Sequence, residues 1–432
     1  MSFYADKKRE HEASAEKSLS QKDYANACFH TAKAAEFGLL LALSFFLPLL
    51  EAPKSIFWLA YVLVWLWNSG RSGEWGGSWD RWDTLIVAWI SSGYVVAAFA
   101  GLHHSEWSGA NDLLRYGSLF WCVKRSNYSA RELAWLAGTL LASCAIGLGW
   151  GFWRYYVSHE RTYVELNSVG HVNHSAPYLA ICASLALSLL LACWQSWSAT
   201  RRLIMACVLL FLLAGVIIGA SRAATGAMLA VPFLLGAAWW RRSRRVLTVL
   251  SLAAVIAVVA AVFGNIGIVE KQRTGYEAGD HLSHRGTIWK RALVGWTIYP
   301  WFGTGIDNYK LISDEQVKVK VEASGQSYQR EDYVGANHAH SLYLNTLVER
   351  GLYGFAVFAC VLIAWAASLW RRRPAVAGSD LEWALWGAAL AAWAIVVLAG
   401  IFNTTLHHEI AILALLLLGS WLSLTRRVAP LP

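Results

Sequence analysis

The residues of this 432-residue sequence that could perform chemistry lie in three short segments, two of which each contain an arginine among small or polar residues. Arg222 follows Ser221 at the junction of two apolar blocks, and Arg285 lies four residues before Trp289. A planar guanidinium binds phosphate oxygens in pairs, and its charge stabilises a departing pyrophosphate. The two arginines therefore predict a phosphate-binding site. The alternative is an arginine that snorkels at the membrane interface or pairs within a loop.

The third segment contains two histidines, His338 and His340, immediately before an apolar block. A neutral imidazole can take a proton from a hydroxyl, so either histidine suits the role of a general base. Together with His281 and His284 the pair could instead bind a metal ion, but the spacing fits no familiar zinc motif. Histidines that cap a helix at an interface are a third interpretation. We expect no metal and no cofactor, and the sequence does not choose between the two histidines.

The elements that must position these residues are membrane-spanning helices. The chain is 56% hydrophobic and only 15% charged, with a mean hydropathy of +0.39, a combination that is rare in soluble domains. Its apolar residues form blocks separated by short polar stretches, and many of the 25 tryptophans lie at block ends. The fold class predicted is an all-α polytopic membrane protein. The net charge of +9 does not indicate nucleic acid, because the basic residues cluster beside apolar blocks.

About twelve transmembrane helices are expected from the apolar blocks, although two of the blocks are short for the ~20 residues that a spanning helix needs. The blocks lie at roughly 37–50, 55–67, 84–102, 113–123, 133–151, 176–194, 203–220, 225–240, 246–263, 342–370, 381–401 and 409–424. With a cytoplasmic N-terminus, this count puts every tight cluster of arginine and lysine on the inner side, as the positive-inside rule requires.

The twelve expected helices divide the chain into four regions. Residues 1–35 form a cytoplasmic N-terminal segment, 36–263 contain transmembrane helices 1–9, 264–341 form one large periplasmic loop, and 342–432 contain helices 10–12 and a cytoplasmic tail. A polar loop as long as the third region is unusual without structure, so we expect helices in it. The shorter loops predicted to face the same side are 51–54, 103–112, 152–175 and 402–408.

The three segments, taken in order, resemble the O-antigen ligase and polymerase superfamily of bacterial membrane glycosyltransferases. The resemblance covers roughly residues 215–370, and Ser341 departs from it because asparagine is commoner there. The matching residues are Ser221 and Arg222; Arg285 and Trp289; Pro300, Gly303 and Gly305; His338, Ala339, His340, Ser341, Leu342, Tyr343 and Leu344; and Glu349, Gly351, Leu352 and Gly354.

Within this superfamily the sequence looks most like the ligase, which implies transfer of O-antigen from undecaprenyl pyrophosphate to the lipid A-core. The resemblance implies an inverting, metal-independent enzyme of the bacterial inner membrane with a periplasmic active site, in contact with membrane lipids. Arg222 and Arg285 would clamp the pyrophosphate, and His338 or His340 would remove the proton. Tyr276, Tyr343 and Asn345 are expected as further substrate contacts.

Three other functions remain open at this point. An O-antigen polymerase would use the same donor with a second lipid-linked glycan as acceptor, and a protein O-oligosaccharyltransferase would use a serine or threonine hydroxyl. A transporter of lipid-linked oligosaccharides would carry charged residues near the bilayer midplane in several spans. The apolar blocks here carry few charges, whereas polar groups gather at the predicted outer mouth.

Overall fold

The computed structural model of the chain describes residues 32–219, 221–240, 242 and 284–428. Most of the N-terminal segment, the apolar block at 246–263, Tyr276 and His281 lie outside the described residues. Within them the chain forms thirteen α-helices and no β-strand. The helices are α1 (32–46), α2 (Glu51–Ser72), α3 (Arg81–Phe99), α4 (Glu106–Arg125), α5 (Ala130–Phe152), α6 (Val172–Ala192), α7 (Ala199–Ile218), α8 (Arg222–Trp239), α9 (Arg285–Ile298), α10 (Asp314–Ala323), α11 (Leu342–Arg371), α12 (Asp380–Ala399) and α13 (His408–Val428).

Eight of the described helices are long and apolar enough to cross a membrane, namely α3, α5, α6, α7, α8, α11, α12 and α13. The polytopic all-helical prediction agrees with this architecture. Helices α1, α2 and α4, which contain three of the predicted blocks, are not among the eight. The count of twelve spans therefore stays a prediction. The polar segment that precedes α11 contains α9 and α10, as expected for a structured loop.

The chain alternates between two ends of the helix bundle. At one end, here called the histidine end, the connections at 100–105, 158–171, 299–341 and 400–407 meet: the Gly101 N–H donates to the Gly303 carbonyl at 2.9 Å, and Lys54 pairs with Glu409. At the other, here called the basic end, the connections at 73–80, 126–129, 193–198 and 372–379 meet. The described loops that the sequence assigned to one side thus lie at one end. Which end faces the periplasm stays a prediction.

Helices that start at the basic end begin with a polar side chain that caps the exposed backbone N–H groups. Asp80 and Ser129 form capping boxes at the starts of α3 and α5, and Ser198 and Ser379 cap α7 and α12. Because the first four N–H groups of a helix lack internal partners, such caps fix where each helix begins. The sequence therefore specifies sharp helix starts directly after the short loops of this end.

The bundle is centred on α6, whose apolar stretch is buried along its whole length. Helix α6 packs against α7 and α12, and α13 packs against α4. A helix that is apolar all round is stable only when other helices surround it. Small residues in α12 allow close contact: at Gly387 a Cβ atom would lie 2.5 Å from the Trp239 ring. The central helix therefore also fixes the position of the residues at its N-terminus, at the histidine end.

The Pro-x-x-Gly-x-Gly turn at 300–305 inserts into a break in α11. Gly351 has φ 59° and ψ −170°, which kinks the helix. The break frees the carbonyls of Val348 and Glu349, and these accept hydrogen bonds from the N–H groups of Thr304 and Gly305, each at 2.9 Å. Backbone groups released by the kink are thus paired again, which removes the cost of leaving them unsatisfied.

The same turn pairs with the other side of the break and leaves no room for side chains. The Leu352 N–H donates to the Pro300 carbonyl at 2.9 Å. A Cβ atom on Gly351 would lie 2.3 Å from the Trp301 carbonyl carbon, and one on Gly303 would lie 2.4 Å from the α11 backbone. Both glycines also have positive φ angles. The glycine pattern of the motif is therefore a requirement for close backbone approach.

Candidate active site

Histidines from three separate segments gather at the histidine end. The rings of His338 and His340 lie 4.4 Å apart between centroids, those of His174 and His338 lie 5.9 Å apart, and those of His407 and His408 lie 3.6 Å apart. His174 is in the first turn of α6, His340 precedes α11, and His408 begins α13. The loops of the histidine end therefore bring distant parts of the chain into one cluster of imidazoles.

The His338–His340 segment is held against the start of α11 by hydrogen bonds. The Ala339 N–H, between the two histidines, donates to Asn345 Oδ1 at 2.9 Å, and Asn345 Nδ2 donates to Glu349 Oε2 at 2.9 Å. His340 has a φ of 46°, in the left-handed region that non-glycine residues rarely adopt. A residue held in such a conformation by its surroundings is pre-organised, a feature that clusters at functional sites.

Burial favours the neutral form of three imidazoles outside the membrane-spanning helices, those of His338, His340 and His407. Burial, together with the neighbouring His338 and the positive charge of Arg285, lowers the pKa of His340 from 6.5 to about 4. Burial also lowers the pKa of His338, and burial with the adjacent His408 lowers that of His407 to about 3. His340 Nδ1 is buried and has no hydrogen-bond partner among the described residues. Neutral imidazoles in this cluster can accept protons.

Arg285 lies beside this cluster at the first position of α9. Its Nε donates to the Phe402 carbonyl at 3.1 Å, and the ring of Trp289, one helical turn later, stacks on the ring of Phe402 at 6.0 Å between centroids. The arginine and tryptophan of the motif therefore face the same loop between α12 and α13. The Leu342 N–H, two residues after His340, donates to the Gly400 carbonyl of the same loop at 2.7 Å, so the structure brings this arginine and this histidine to one loop.

Arg222 begins α8, directly after the turn that ends α7. A Cβ atom on Gly219 in this turn would lie 3.3 Å from the Val172 side chain, in the first turn of α6. His174 is two residues further along α6. Arg222 therefore lies at the histidine end, and its role in binding phosphate stays a prediction.

Two of the predicted substrate contacts, Tyr343 and Asn345, make hydrogen bonds within the protein. The Tyr343 hydroxyl donates to the Val397 carbonyl on α12 at 2.8 Å. The Asn345 side chain accepts a hydrogen bond from the Ala339 N–H and donates one to Glu349, as described above. Tyr276 lies outside the described residues. Contact of these three side chains with substrate therefore stays a prediction.

Four histidines of the cluster were missed by the sequence reasoning, namely His171, His174, His407 and His408. They lie at the ends of the loops 152–175 and 402–408, which the sequence assigned to the same side as His338. A signal was therefore present, since histidine immediately before an apolar block was the criterion that selected His338 and His340.

Among the described residues of this region, one group has the ligand types and spacing to hold a metal ion. The ligand atoms of Asp112, His407 and His408 all lie within 4.8 Å of one another. This group shares no residue with the set considered from the sequence, which combined His338 and His340 with His281 and His284. His281 lies outside the described residues, so that set is not tested.

Comparison with known proteins supports the resemblance inferred from the motifs. Residues 206–359 match the family model described as O-Antigen ligase. The matched region contains both predicted arginines and both predicted histidines, whereas His174 and His407 lie outside it. No curated protein matches the chain. Through residues 206–359, the chain is therefore similar to the O-Antigen ligase family.

Proposed function

We propose that this protein is an O-antigen ligase that transfers O-antigen polysaccharide from undecaprenyl pyrophosphate to a sugar hydroxyl of the lipid A-core. One observation carries the proposal: Arg285, which suits a phosphate, and the His340 segment meet at one loop, where Arg285 Nε donates to the Phe402 carbonyl and the Leu342 N–H donates to the Gly400 carbonyl. Transfer from a lipid pyrophosphate to a hydroxyl needs a cation at the leaving group and a neutral base at the acceptor. The family match at 206–359 supports the same class of reaction.

The donor pyrophosphate is assigned to Arg285 and Arg222. Arg285 is oriented by its Nε bond to the Phe402 carbonyl, and Arg222 occupies the first turn of α8 at the same end of the bundle. The N-terminus of a helix favours anions, because its backbone N–H groups point outward and the helix dipole is positive there. Both arginines begin helices, so charge and dipole act together on the leaving pyrophosphate.

The acceptor hydroxyl is assigned to His340. As the hydroxyl oxygen attacks the anomeric carbon from the face opposite the pyrophosphate, its proton passes to the neutral imidazole. The bond between the anomeric carbon and the phosphate oxygen breaks, and its electron pair leaves with the undecaprenyl pyrophosphate. This single displacement inverts the anomeric centre and requires no metal ion. We choose His340 over His338 because His340 lies two residues before Leu342, whose N–H donates to the Gly400 carbonyl in the loop that also binds Arg285.

The test is transfer by purified protein. The wild type in detergent receives undecaprenyl-pyrophosphate-linked glycan, rough lipopolysaccharide and an excess of chelator, and glycan attached to the core is measured on a gel. The variants are Arg222→Ala, Arg285→Ala, His338→Ala and His340→Ala. His104→Ala serves as the matched control, since His104 is an exposed histidine at the same end.

We expect transfer in the presence of chelator by the wild type and His104→Ala, and little transfer by the arginine variants and His340→Ala. Loss in His338→Ala with activity retained in His340→Ala would assign the base to His338 instead. Chain elongation or protein glycosylation without transfer to the core would replace the ligase with a polymerase or a protein O-oligosaccharyltransferase. Movement of the lipid-linked glycan across a vesicle membrane, without glycan transfer to any acceptor, would favour a transporter.

A further inference from the structure

Two histidines of the cluster form, with a carboxylate of α4, a group that shares no residue with those assigned to transfer. It consists of Asp112 on α4 and the two histidines at the start of α13, His407 and His408. We propose that these three side chains bind a divalent transition-metal ion. All three lie outside the region 206–359 that matches the family model.

The geometry of this cluster is fixed by the packing of α13 against α4. The His408 N–H donates to the Tyr116 hydroxyl at 2.7 Å, and Tyr116 is one helical turn after Asp112 on α4. This bond sets the register of the histidine pair against the carboxylate. The ligand atoms of the three residues lie within 4.8 Å of one another, so rotation about side-chain bonds brings them around one ion at the usual distances of about 2.0–2.2 Å.

The three side chains have few competing interactions. The carboxylate of Asp112 has one ion pair among the described residues, a 3.7 Å contact with Arg115. The ring nitrogens of His407 and His408 make no hydrogen bond to any described residue. By contrast, the neighbouring Glu409 is already paired with Lys54. The cluster therefore offers two imidazoles and a carboxylate whose lone pairs are not used to stabilise the fold.

The ligand types and the surrounding charge select the class of ion. Two imidazoles with one carboxylate suit Zn²⁺, Cu²⁺ or Ni²⁺, whereas Mg²⁺ and Ca²⁺ prefer all-oxygen sites. Nearby, the carboxylates of Asp112, Glu51 and Glu409 outnumber the cations Lys54 and Arg115. A dication therefore enters a site with an excess of negative charge.

The test measures binding directly, because the proposed transfer reaction needs no metal ion. The full-length protein is purified in detergent with a tag that contains no histidine, stripped with chelator, and titrated with Zn²⁺ by calorimetry. Asp112→Asn and His408→Ala remove one ligand each, and His104→Ala removes an exposed histidine from the same end. The coordination of Co²⁺ in the wild type is recorded by visible absorption, and that of Zn²⁺ by X-ray absorption.

We expect one Zn²⁺ per chain in the wild type and in His104→Ala, bound through two imidazoles and a carboxylate. Loss of one ligand should weaken binding by roughly 10–100-fold or more, because loss of a residue that only hydrogen-bonds to a ligand already has an effect of that size. No stoichiometric binding by the wild type, or unchanged affinity in both ligand variants, would overturn the proposal. If a ligand variant fails to fold, a wild-type X-ray absorption spectrum without two imidazole ligands also overturns it. Transfer activity is assayed separately, so its failure does not bear on the site.

Discussion

The two ends of the bundle both contain many charged or titratable side chains, but they use them differently. At the basic end, Lys124 donates to Asp80 at 2.6 Å and to Asp83 at 2.7 Å, and Arg125 donates to Asp83 at 2.6 Å. Asp83 is fully buried. At the histidine end, His340 has a buried nitrogen without a hydrogen-bond partner among the described residues and a pKa of about 4.

This difference separates groups that stabilise the fold from groups suited to chemistry. A buried charge must be paired, and the basic end pairs its cations with carboxylates and backbone carbonyls: Arg125 also donates to the carbonyls of Trp75 and Gly77, each at 2.6 Å. Burial favours the neutral form of His338, His340 and His407, and a neutral ring without a full set of partners costs less to bury than an unpaired charge. A residue can then keep a lone pair available for a substrate proton. From the sequence, the positive-inside rule identified the basic residues of the basic end as markers of topology and did not predict their ion pairs.

The largest difference between the two ends is expected in how arginine substitution changes the rate of glycan transfer. Arg285→Ala should lower transfer by roughly 10²–10³-fold, because it removes charge from the leaving pyrophosphate. Arg285→Lys should restore only part of the rate, since an ammonium lacks the planar fork that binds two phosphate oxygens. The initial rate of glycan transfer at saturating donor is the measurement.

The control for this prediction is Arg372→Ala at the basic end, where Arg372 is exposed. It should leave the rate unchanged. Equal rates for Arg285→Ala and Arg372→Ala, in proteins that melt at the wild-type temperature, would show that the arginines of the two ends do not differ in function.

The second largest effect is expected on stability, at the basic end. Asp83→Asn leaves Lys124 and Arg125 buried with one fewer carboxylate, and loss of one member of a buried ion-pair cluster costs about 3–5 kcal/mol. The melting temperature in detergent should fall strongly, while the protein that remains folded should transfer glycan at the wild-type rate per molecule.

Asp332→Asn is the matched control for Asp83→Asn. Asp332 pairs with Lys290 at 2.9 Å, but both side chains are about half exposed, at 47% and 57%. Exposed pairs contribute little, so the melting temperature should not change. Similar melting shifts for the two variants would mean that burial does not distinguish the ion pairs.

The sequence predicted which elements form this protein better than it predicted how they pack. Blocks of apolar residues and capping residues such as Ser129 mark helices locally, and the motif around His338 and His340 is contiguous in the chain. Contact between His338 and His174 depends on α6 lying at the centre of the bundle. Because α6 is apolar on every side, its sequence contains no pattern that identifies its neighbours.

Hydrogen bonds between distant segments were equally beyond prediction. Pro177 in α6 has no N–H to donate to the Asn173 carbonyl one turn earlier, and the side chain of Asn403 donates to that carbonyl instead. The sequence shows the proline but not the partner, which lies more than two hundred residues away. This bond also brings the loop before α13 to the start of α6, so it contributes to the histidine cluster.

An intermediate effect is expected from the turn that supports the histidine end. Gly351→Ala places a methyl group 2.3 Å from the Trp301 carbonyl carbon at a residue with φ 59°. Overpacking of this kind costs about 1–3 kcal/mol, and displacement of the turn should also lower transfer. Gly286→Ala, in the first turn of α9 where a Cβ atom meets nothing within 4 Å, is the control and should not destabilise the protein. Melting temperature and transfer rate are measured for both, and equal behaviour would contradict the role assigned to the break in α11.

The smallest effect concerns the pH dependence of transfer. The groups that act on His340 are His338, Arg285 and His171, and with burial they hold its pKa at about 4, so its neutral form is lost only as the pH falls through that value. Between about pH 7.5 and pH 6 the value of kcat/KM should therefore change by less than roughly twofold, whereas a base with an ordinary histidine pKa would lose most of its neutral form. A decline centred near pH 6.5 in the wild type would show that the base is a histidine in an ordinary, solvated environment. It would then not be the buried His340, and the contrast between the two ends would no longer explain the choice of base.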